Sequence, residues 1–356
     1  MARIVPSRPV PRSVAHGAAR RRFLQLTCFS LLTACQATGP EPAAVTVGKW
    51  AIAIHGGAGT MDPNTPADRL APYESALRRA LEHGRDLLAA GTPALDVCQS
   101  VVELLEDDPL FNAGKGAVYN EKGEHELDAA IMDGSNLRCG AVAGVRTVRH
   151  PIALARAVMT KTRHVLLAGA GAETFADTLD LERVENTWFD TDSRRRALER
   201  ALEDRKQTAA LAPPSDRRLD YGTVGCVALD QSGKLAAATS TGGMTGKKWG
   251  RVGDAPLIGS GTYADAFAAI SCTGTGEEFI RHGIARAVSA RMQFAGQSLQ
   301  EATDAVVHEV LAVEDGGLIA VDSAGNLAAP FNTSGMYRGL AASDGSFQVA
   351  IFRAPR

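Results

Sequence analysis

The stretch Gly222-Thr223-Val224-Gly225-Cys226-Val227-Ala228-Leu229 carries the strongest fold signal in this 356-residue chain. Its apolar run predicts a buried strand, Asp230-Gln231-Ser232-Gly233 predicts a turn, and residues 234–239 predict the returning strand. Residues 318–329 repeat this strand–turn–strand pattern. Because amphipathic helices are predicted at 277–291 and 299–312, the chain is expected to be α/β (α+β), with antiparallel sheets covered by helices.

The region before Gly222 predicts further elements. The apolar run 50–54 predicts a strand that feeds the glycine-rich turn His55-Gly56-Gly57-Ala58-Gly59. One helix is expected at 72–90, and a second is expected to begin with Thr92 as N-cap and Pro93 in its first turn. Pro151 is expected to open another helix. Residues 181–222 become strongly charged and then proline-rich, which predicts an exposed connector.

The first 48 residues have the composition of a targeting signal rather than of a folded domain. Six arginines and no acidic residue precede Cys35, and a short apolar run covers 23–34. Arg20-Arg21-Arg22-Phe23-Leu24 resembles a twin-arginine export signal, and Leu32-Thr33-Ala34-Cys35 resembles a bacterial lipobox. Residues 1–35 are therefore predicted to direct export, with 36–48 as a tether and a possible lipid on Cys35 as the contact with the membrane. The expected location is the bacterial periplasm or a membrane-anchored lipoprotein, and the alternative is a mispredicted start upstream of a cytoplasmic enzyme.

Charge and motif content narrow the possible functions. Without those six arginines the formal net charge of −2 becomes −8, which disfavours binding to nucleic acid. Cys98, Cys139, Cys226 and Cys272 show no metal-ligand spacing and are expected to be mostly buried free thiols. Signatures of zinc proteases, serine hydrolases and P-loop proteins do not occur in the sequence.

Thr223 offers a different chemistry. An internal threonine hydroxyl is a poor nucleophile because nothing accepts its proton. Cleavage of the Gly222–Thr223 bond would give Thr223 a free α-amine, whose reference pKa of about 8 suits a general base near neutral pH. Gly222 has no Cβ and tolerates the backbone strain that such a self-cleavage requires.

Longer motifs surround this threonine. They are Ile54-His55-Gly56-Gly57-Ala58-Gly59, Pro109 to Gly116, Glu126 to Gly134, Thr239 to Lys247, Gly250 to Asp254 and Ser271 to Glu277. With Gly222 to Gly225, they make residues 49–340 resemble the plant-type L-asparaginase/isoaspartyl peptidase family. The resemblance implies an N-terminal nucleophile hydrolase fold, an αββα sandwich formed by 49–356 as one domain. It also implies an α subunit (49–222), a β subunit (223–356) and an (αβ)₂ assembly.

The resemblance also implies residue roles. Thr241 should hold the amine and hydroxyl of Thr223 in line. Arg251 should bind the α-carboxylate of the substrate and Asp254 its α-ammonium. Thr273 and the Gly274 N–H should form an oxyanion hole. Asn112 should lie near the nucleophile and bind substrate. No catalytic cofactor is expected, but a structural sodium ion should be held by backbone carbonyls of Leu105, Glu106, Asp108, Phe111, Ala113 and Lys115.

The predicted function is an autoproteolytically activated threonine hydrolase that releases L-aspartate from β-aspartyl dipeptides and from L-asparagine. Two alternatives stay open at this point. One is a glycosylasparaginase, which has the same nucleophile but must admit a sugar. The other is a non-catalytic, amino-acid-binding lipoprotein.

Overall fold

The computed structural model describes residues 48–59, 61–208 and 222–353, which fall within one compact unit, Thr46–Arg356. The predicted export signal, Cys35 and nearly all of the tether lie outside these residues. The strands are β1 (Ala51–Gly59), β2 (Leu127–Asp133), β3 (Cys139–Val145), β4 (Leu166–Ala168), β5 (Val224–Leu229), β6 (Leu235–Thr241), β7 (Thr262–Ala264), β8 (Ala268–Gly274), β9 (Gly316–Asp322), β10 (Leu327–Ala328), β11 (Gly335–Ala342) and β12 (Phe347–Ala350). The α-helices are α1 (Ala67–Ala89), α2 (Ala94–Asp107), α3 (Pro151–Lys161), α4 (Gly169–Ala176), α5 (Asp192–Thr208), α6 (Gly276–His282), α7 (Ile284–Ala295) and α8 (Leu299–Ala305).

The strands form two sheets. The large sheet has the order β12-β11-β1-β5-β6-β2-β3-β4, and every neighbouring pair in it is antiparallel except β3 and β4. The small sheet has the order β10-β9-β8-β7 and is antiparallel throughout. The hairpin predicted at 222–239 is β5–β6, which spans 224–241 and lies at the centre of the large sheet.

Apolar side chains hold the layers together in three clusters. Helices α1 to α3 cover one face of the large sheet through residues such as Leu81 and Val101. The other face packs on the small sheet through Val227 and Ile319, and α7 covers the outer face of the small sheet through Val288. The burial of each aliphatic side chain of this kind contributes roughly 1.5–3 kcal/mol to the stability of the folded protein. This order of layers confirms the predicted αββα sandwich.

Several predicted element boundaries were wrong because distant contacts decide them. The predicted turn at 55–59 is the second half of β1, which continues past a bulge between His55 and Gly57. Helix α1 begins five residues before Pro72, and α2 begins at Ala94 after Pro93 rather than at Pro93 with Thr92 as cap. The Ala94 N–H is instead capped by the carboxylate of Asp230, in the β5–β6 turn, at 2.9 Å.

The C-terminal helices are also more divided than their sequence pattern predicts. The helix expected at 277–291 is two helices, α6 and α7, because Gly283 adopts a left-handed conformation (φ +56°) between them. The helix expected at 299–312 is α-helical only as far as Ala305, where α8 ends. A π-helical segment, Val306–Val310, follows it.

Much of the expected connector 181–222 is ordered. A 3₁₀ turn, Asn186–Phe189, buries Phe189 completely, and α5 follows it. Arg205 of α5 donates a hydrogen bond of 2.7 Å to the Gly246 carbonyl. Although this segment is highly charged, a few of its apolar side chains pack against the core and hold it in place. Its proline-rich end, 209–221, lies outside the described residues.

Among the described residues, Cys98, Cys139, Cys226 and Cys272 are free thiols, and all but the half-buried Cys139 are buried. No helix within those ranges has the length and apolar character needed to cross a membrane.

Candidate active site

Thr223 lies at the entrance to β5, one residue before the strand, and is only 8% exposed. Its hydroxyl donates to the Thr241 hydroxyl at 3.2 Å. The two residues are eighteen positions apart, but the antiparallel pairing of Val224 with Ser240 brings them side by side. Thr241 Oγ1 also accepts from the Gly243 N–H at 3.0 Å, so Thr241 is fixed by the loop that follows β6.

Gly222 is buried between two backbone segments. A Cβ on Gly57, in the β1 bulge, would lie 2.5 Å from Gly222 Cα, so only glycine fits there. On the other side, a Cβ on Gly222 would lie 3.0 Å from Asn112 Cβ. The bond that joins Gly222 to Thr223 is therefore held tightly on both sides.

Asn112 lies beside the nucleophile as expected, but its amide group has protein partners. Its Nδ2 donates to the Gly243 carbonyl at 2.8 Å, and its Oδ1 accepts from the Val118 N–H at 2.9 Å. The side chain is fully buried. The two amide atoms of Asn112 therefore hold the loops around Gly222 together, and its contact with substrate stays a prediction.

His55 is a partner of the nucleophile that the sequence analysis did not single out. Its Nδ1 lies 2.9 Å from the Thr223 carbonyl oxygen, and its Nε2 lies 2.9 Å from Ser271 Oγ. Burial lowers the pKa of His55 to about 3, so the ring is neutral. Because a carbonyl can only accept, Nδ1 carries the proton and Ser271 donates to Nε2. A Cβ on Gly225 would lie 2.0 Å from Ser271 Oγ, which explains the second glycine of Gly222-Thr223-Val224-Gly225.

Thr273 and Gly274 end β8, in the sheet stacked beneath the nucleophile. The Thr273 hydroxyl accepts from the Ala58 N–H at 3.1 Å, next to the Gly57 bulge that contacts Gly222. A hydroxyl that accepts in this way can still donate its own proton. Gly274 has φ +153°, and a Cβ on it would lie 2.0 Å from the Asp315 carbonyl oxygen, so no other residue fits.

Arg251 and Asp254 lie close together beside Thr241, where they would line the predicted substrate pocket. Gly243 joins the two parts of the site, because a Cβ on Gly243 would lie 3.5 Å from Arg251 Nη1 while its N–H contacts Thr241. Glu277 binds Arg251 through a fork, with Nε to Oε1 at 2.9 Å and Nη2 to Oε2 at 2.8 Å. Asp254 is buried, and its Oδ2 has no hydrogen-bond partner in the described parts of the chain. Burial raises the pKa of Asp254 to about 7, although the charge of Arg251 opposes this shift.

Known proteins match this chain over nearly all of the folded unit. A profile of the asparaginase family matches residues 48–351. The chain belongs to the asparaginase family. It is 45% identical over 325 residues to a probable isoaspartyl peptidase/L-asparaginase 2 of Arabidopsis thaliana, covering 86% of this chain and all of the relative. It is 48% identical over 315 residues to the isoaspartyl peptidase of Escherichia coli K12, covering 86% and 97%. It is 40% identical to an isoaspartyl peptidase/L-asparaginase of Xenopus laevis, covering 85% and 94%.

Membership of the asparaginase family also accounts for the architecture. The two stacked sheets between helices are the N-terminal nucleophile hydrolase fold, and the predicted nucleophile stands at the start of a central strand. The family match begins at residue 48, so the predicted export signal and tether precede it.

The loop after α2 packs two glycines tightly against backbone carbonyls. Gly114 (φ +48°) passes so close to α2 that a Cβ on it would lie 2.2 Å from the Glu106 carbonyl oxygen, and a Cβ on Gly116 would lie 2.1 Å from that of Phe111. The last carbonyls of a helix lack partners within the helix, and its C-terminus is the negative end of its dipole. The chemistry of this loop therefore fits a hard cation that prefers oxygen ligands.

Besides His55, sequence reasoning missed Ser271, Glu277 and Lys247 as parts of the site. Lys247 is almost completely buried, and its Nζ donates to the Glu126 carbonyl at 2.7 Å, which anchors the loop between Thr241 and Arg251. Each of these residues was quoted as part of a motif. Their spacing along the chain does not reveal which contacts they make.

Proposed function

We propose that this protein is an autoproteolytically activated threonine hydrolase that cleaves β-aspartyl dipeptides and L-asparagine and releases L-aspartate. The observation that carries the proposal is the Thr223 hydroxyl, which lies 3.2 Å from Thr241 directly after a tightly held glycine. The names of the relatives in Arabidopsis and Escherichia coli support the same activity.

Activation begins with the attack of Thr223 Oγ1 on the Gly222 carbonyl carbon. The Gly222–Thr223 C–N bond breaks, and the hydroxyl proton passes to the departing Thr223 nitrogen. Water then hydrolyses the resulting ester and leaves a Gly222 carboxylate and a free Thr223 with both hydroxyl and α-amine. The hydrogen bond from His55 to the Thr223 carbonyl keeps the residue in place during these steps.

Catalysis then uses both groups of Thr223. The α-amine accepts the hydroxyl proton as Oγ1 attacks the carbonyl carbon of the aspartyl side chain. The Thr273 hydroxyl and the Gly274 N–H stabilise the oxyanion that develops. The C–N bond breaks, the leaving amine takes the proton from the Thr223 ammonium, and water hydrolyses the β-aspartyl ester to release aspartate.

Substrate selection rests on the pocket beside Thr241. Among the described residues, Arg251 Nη1 has no hydrogen-bond partner and can bind the α-carboxylate, and the equally unpartnered Oδ2 of Asp254 is an acceptor for the α-ammonium. Both groups occur in asparagine and in β-aspartyl dipeptides, so the pocket admits both.

An assay of the purified protein tests this function. We expect release of aspartate from a β-aspartyl dipeptide and of ammonia from asparagine, and no activity in Thr223→Ala. Release of N-acetylglucosamine from a glycosylated asparagine would favour the glycosylasparaginase alternative. Binding of asparagine by an uncut chain without turnover would favour the amino-acid-binding lipoprotein.

We also propose that the carbonyls of Leu105, Glu106, Asp108, Phe111, Ala113 and Lys115 hold a structural sodium ion. The close approach of Gly114 to the Glu106 carbonyl, at the end of α2, supports this site. Sodium chloride should then raise the melting temperature above the value in choline chloride of equal ionic strength, and Gly114→Ala should abolish the difference. Equal melting temperatures of the wild type in the two salts would contradict the site.

For the N-terminus we propose export, with lipid attached to Cys35. The six arginines, the short apolar run and the start of the family match at residue 48 support an added segment. Labelled fatty acid should enter the wild type in a bacterial host, and Cys35→Ser should remain unlabelled. A mature protein that remains unlabelled in the cytoplasm would instead indicate the mispredicted start.

The (αβ)₂ assembly is a further proposal, supported by the family resemblance. Sedimentation equilibrium of the cleaved protein should give twice the mass of one chain. A value equal to the mass of one chain would contradict this assembly.

A further inference from the structure

The guanidinium fork of Arg251 is already occupied by a carboxylate of the protein. Nε and Nη2 both donate to Glu277, at 2.9 and 2.8 Å, so the substrate carboxylate must use the remaining edge of Arg251. Arg251 is well shielded, with 17% of its side chain exposed, whereas Glu277 is 43% exposed at the rim. The rotation of Arg251 in the pocket is therefore fixed by Glu277.

The packing around this pair leaves Arg251 little freedom to bind elsewhere. A Cβ on Gly253 would lie 2.7 Å from Arg251 Nη1, and a Cβ on Gly276 would lie 2.7 Å from Nη2 and 2.9 Å from Asp254 Oδ1. The two glycines make room for the guanidinium on either side. Glu277 follows Gly276 directly, at the start of α6, and lies on the solvent side of Arg251.

Glu277 also sets the charge that a substrate meets. Arg251 and Glu277 neutralise each other, so an ionised Asp254 leaves the pocket with one negative charge for the substrate ammonium. The charged and titratable groups near Asp254 are Arg251, Glu277, the buried carboxyl of Asp128 and the thiol of Cys272. After burial, Arg251 holds the pKa of Asp254 down, whereas Glu277 and Asp128 hold it up.

We propose that Glu277 is a positioning residue for substrate recognition, which aims Arg251 at the α-carboxylate and sets the pH range in which Asp254 accepts the α-ammonium. This inference rests on the proposed function of the Arg251–Asp254 pocket. It deepens that function, because the pocket then reads the amino-acid headgroup with three residues, one of which touches no substrate.

Two kinds of variant separate the two effects. Glu277→Gln keeps the shape and removes the charge, and Glu277→Ala removes both. The matched control is Glu278→Gln, because Glu278 is the next residue of the same helix and pairs with Arg281 and His282 outside the pocket. Cleavage into two fragments and an unchanged melting temperature would establish that each variant is folded.

The expected results concern KM and its pH dependence. At pH 8, KM for a β-aspartyl dipeptide should rise about tenfold in Glu277→Ala and less in Glu277→Gln. The value of kcat should stay nearly unchanged, because only Arg251, which binds the substrate headgroup, loses a charge-assisted hydrogen bond. In both variants the acidic limb of kcat/KM should move to lower pH by roughly one unit, because one nearby negative charge is gone. Glu278→Gln should match the wild type in both respects.

Calorimetric binding of L-aspartate, measured from pH 5 to 8, separates this inference from the proposed hydrolase activity. A shift of the binding profile in Glu277→Gln, with no turnover in any protein, would support the pocket and contradict the activity. Turnover by the wild type, with profiles and KM of Glu277→Gln equal to those of Glu278→Gln, would overturn the role of Glu277 and leave the activity intact. Absence of both binding and turnover in the wild type would overturn both.

Discussion

At the scale of single residues, the candidate site is organised around Thr223, the proposed nucleophile, which must be cut from Gly222 before it can act. Thr223 has a hydroxyl partner in Thr241 and a carbonyl partner in His55, at 3.2 and 2.9 Å. Neither partner is a base, because Thr241 does not titrate near neutral pH and His55 directs its protonated nitrogen at the carbonyl. In the proposed mechanism the proton acceptor for Thr223 is therefore its own α-amine, which exists only after cleavage.

The role of the Thr241 hydroxyl can be tested with a variant that lacks the hydroxyl and keeps the shape of the side chain. Thr241→Val should lower kcat about 100-fold or more, because Thr223 loses the group that orients its hydroxyl. Thr241→Ser keeps a hydroxyl at this position and should retain most of the activity. Steady-state kinetics of the cleaved proteins would check this, and equal kcat values for the Val and Ser variants would contradict the role of Thr241.

The pH dependence of substrate binding should follow Asp254. Its pKa is raised to about 7, so the carboxyl becomes protonated as the pH falls through that value and can no longer accept the substrate ammonium. The value of kcat/KM should therefore fall about tenfold per unit below pH 7. A profile that stays level down to pH 5 would show that Asp254 does not have this role.

At the scale of elements, the β5–β6 hairpin places the reacting groups. Its strands and turn were predictable because turn residues and continuous apolar runs are local properties. The contiguous motifs around Thr223 and Thr241 also predicted that the two hydroxyls meet, and the 3.2 Å contact confirms this proximity. The capping of α2 by Asp230, the break at Gly283 and the pairing of Arg251 with Glu277 were not predictable, because each depends on residues or conformations that sequence spacing does not reveal. Likewise, composition predicted an exposed connector where Phe189 is fully buried.

Gly225 of β5 tests how closely this element fits the layer below it. Gly225→Ala should destabilise the protein by about 2 kcal/mol and lower activity, because the new methyl group would displace Ser271 and His55. Gly171→Ala is the control, since its Cβ meets nothing within 4 Å and helix α4 should gain roughly 0.5–1 kcal/mol. Chemical denaturation of both variants would check this, and equal stability changes would contradict the tight fit at Gly225.

At the scale of the whole molecule, the large sheet interleaves strands from both sides of the predicted cut. Strand β1 precedes Gly222 and lies between β11 and β5, which follow it, and β2 pairs with β6 across the same division. Two of the three apolar clusters combine residues from before and after Gly222. The third, between α7 and the small sheet, contains only residues that follow it. Cleavage therefore opens one bond without separating the core.

This topology predicts how the cleaved protein behaves. The two fragments should elute as one species in gel filtration under native conditions and separate only in denaturant, because the main-chain hydrogen bonds of β1 and β2 join them. Fragments that separate without denaturant would be inconsistent with the sheet order described above.

The measurement that tests the central claim most directly is the mass of the purified protein under denaturing conditions, for the wild type and for Thr223→Ala. The account predicts that the wild type gives two chains, one ending at Gly222 and one beginning with Thr223, and that Thr223→Ala gives one uncut, inactive chain. A wild-type chain that remains uncut between Gly222 and Thr223 and still hydrolyses β-aspartyl dipeptides would contradict it.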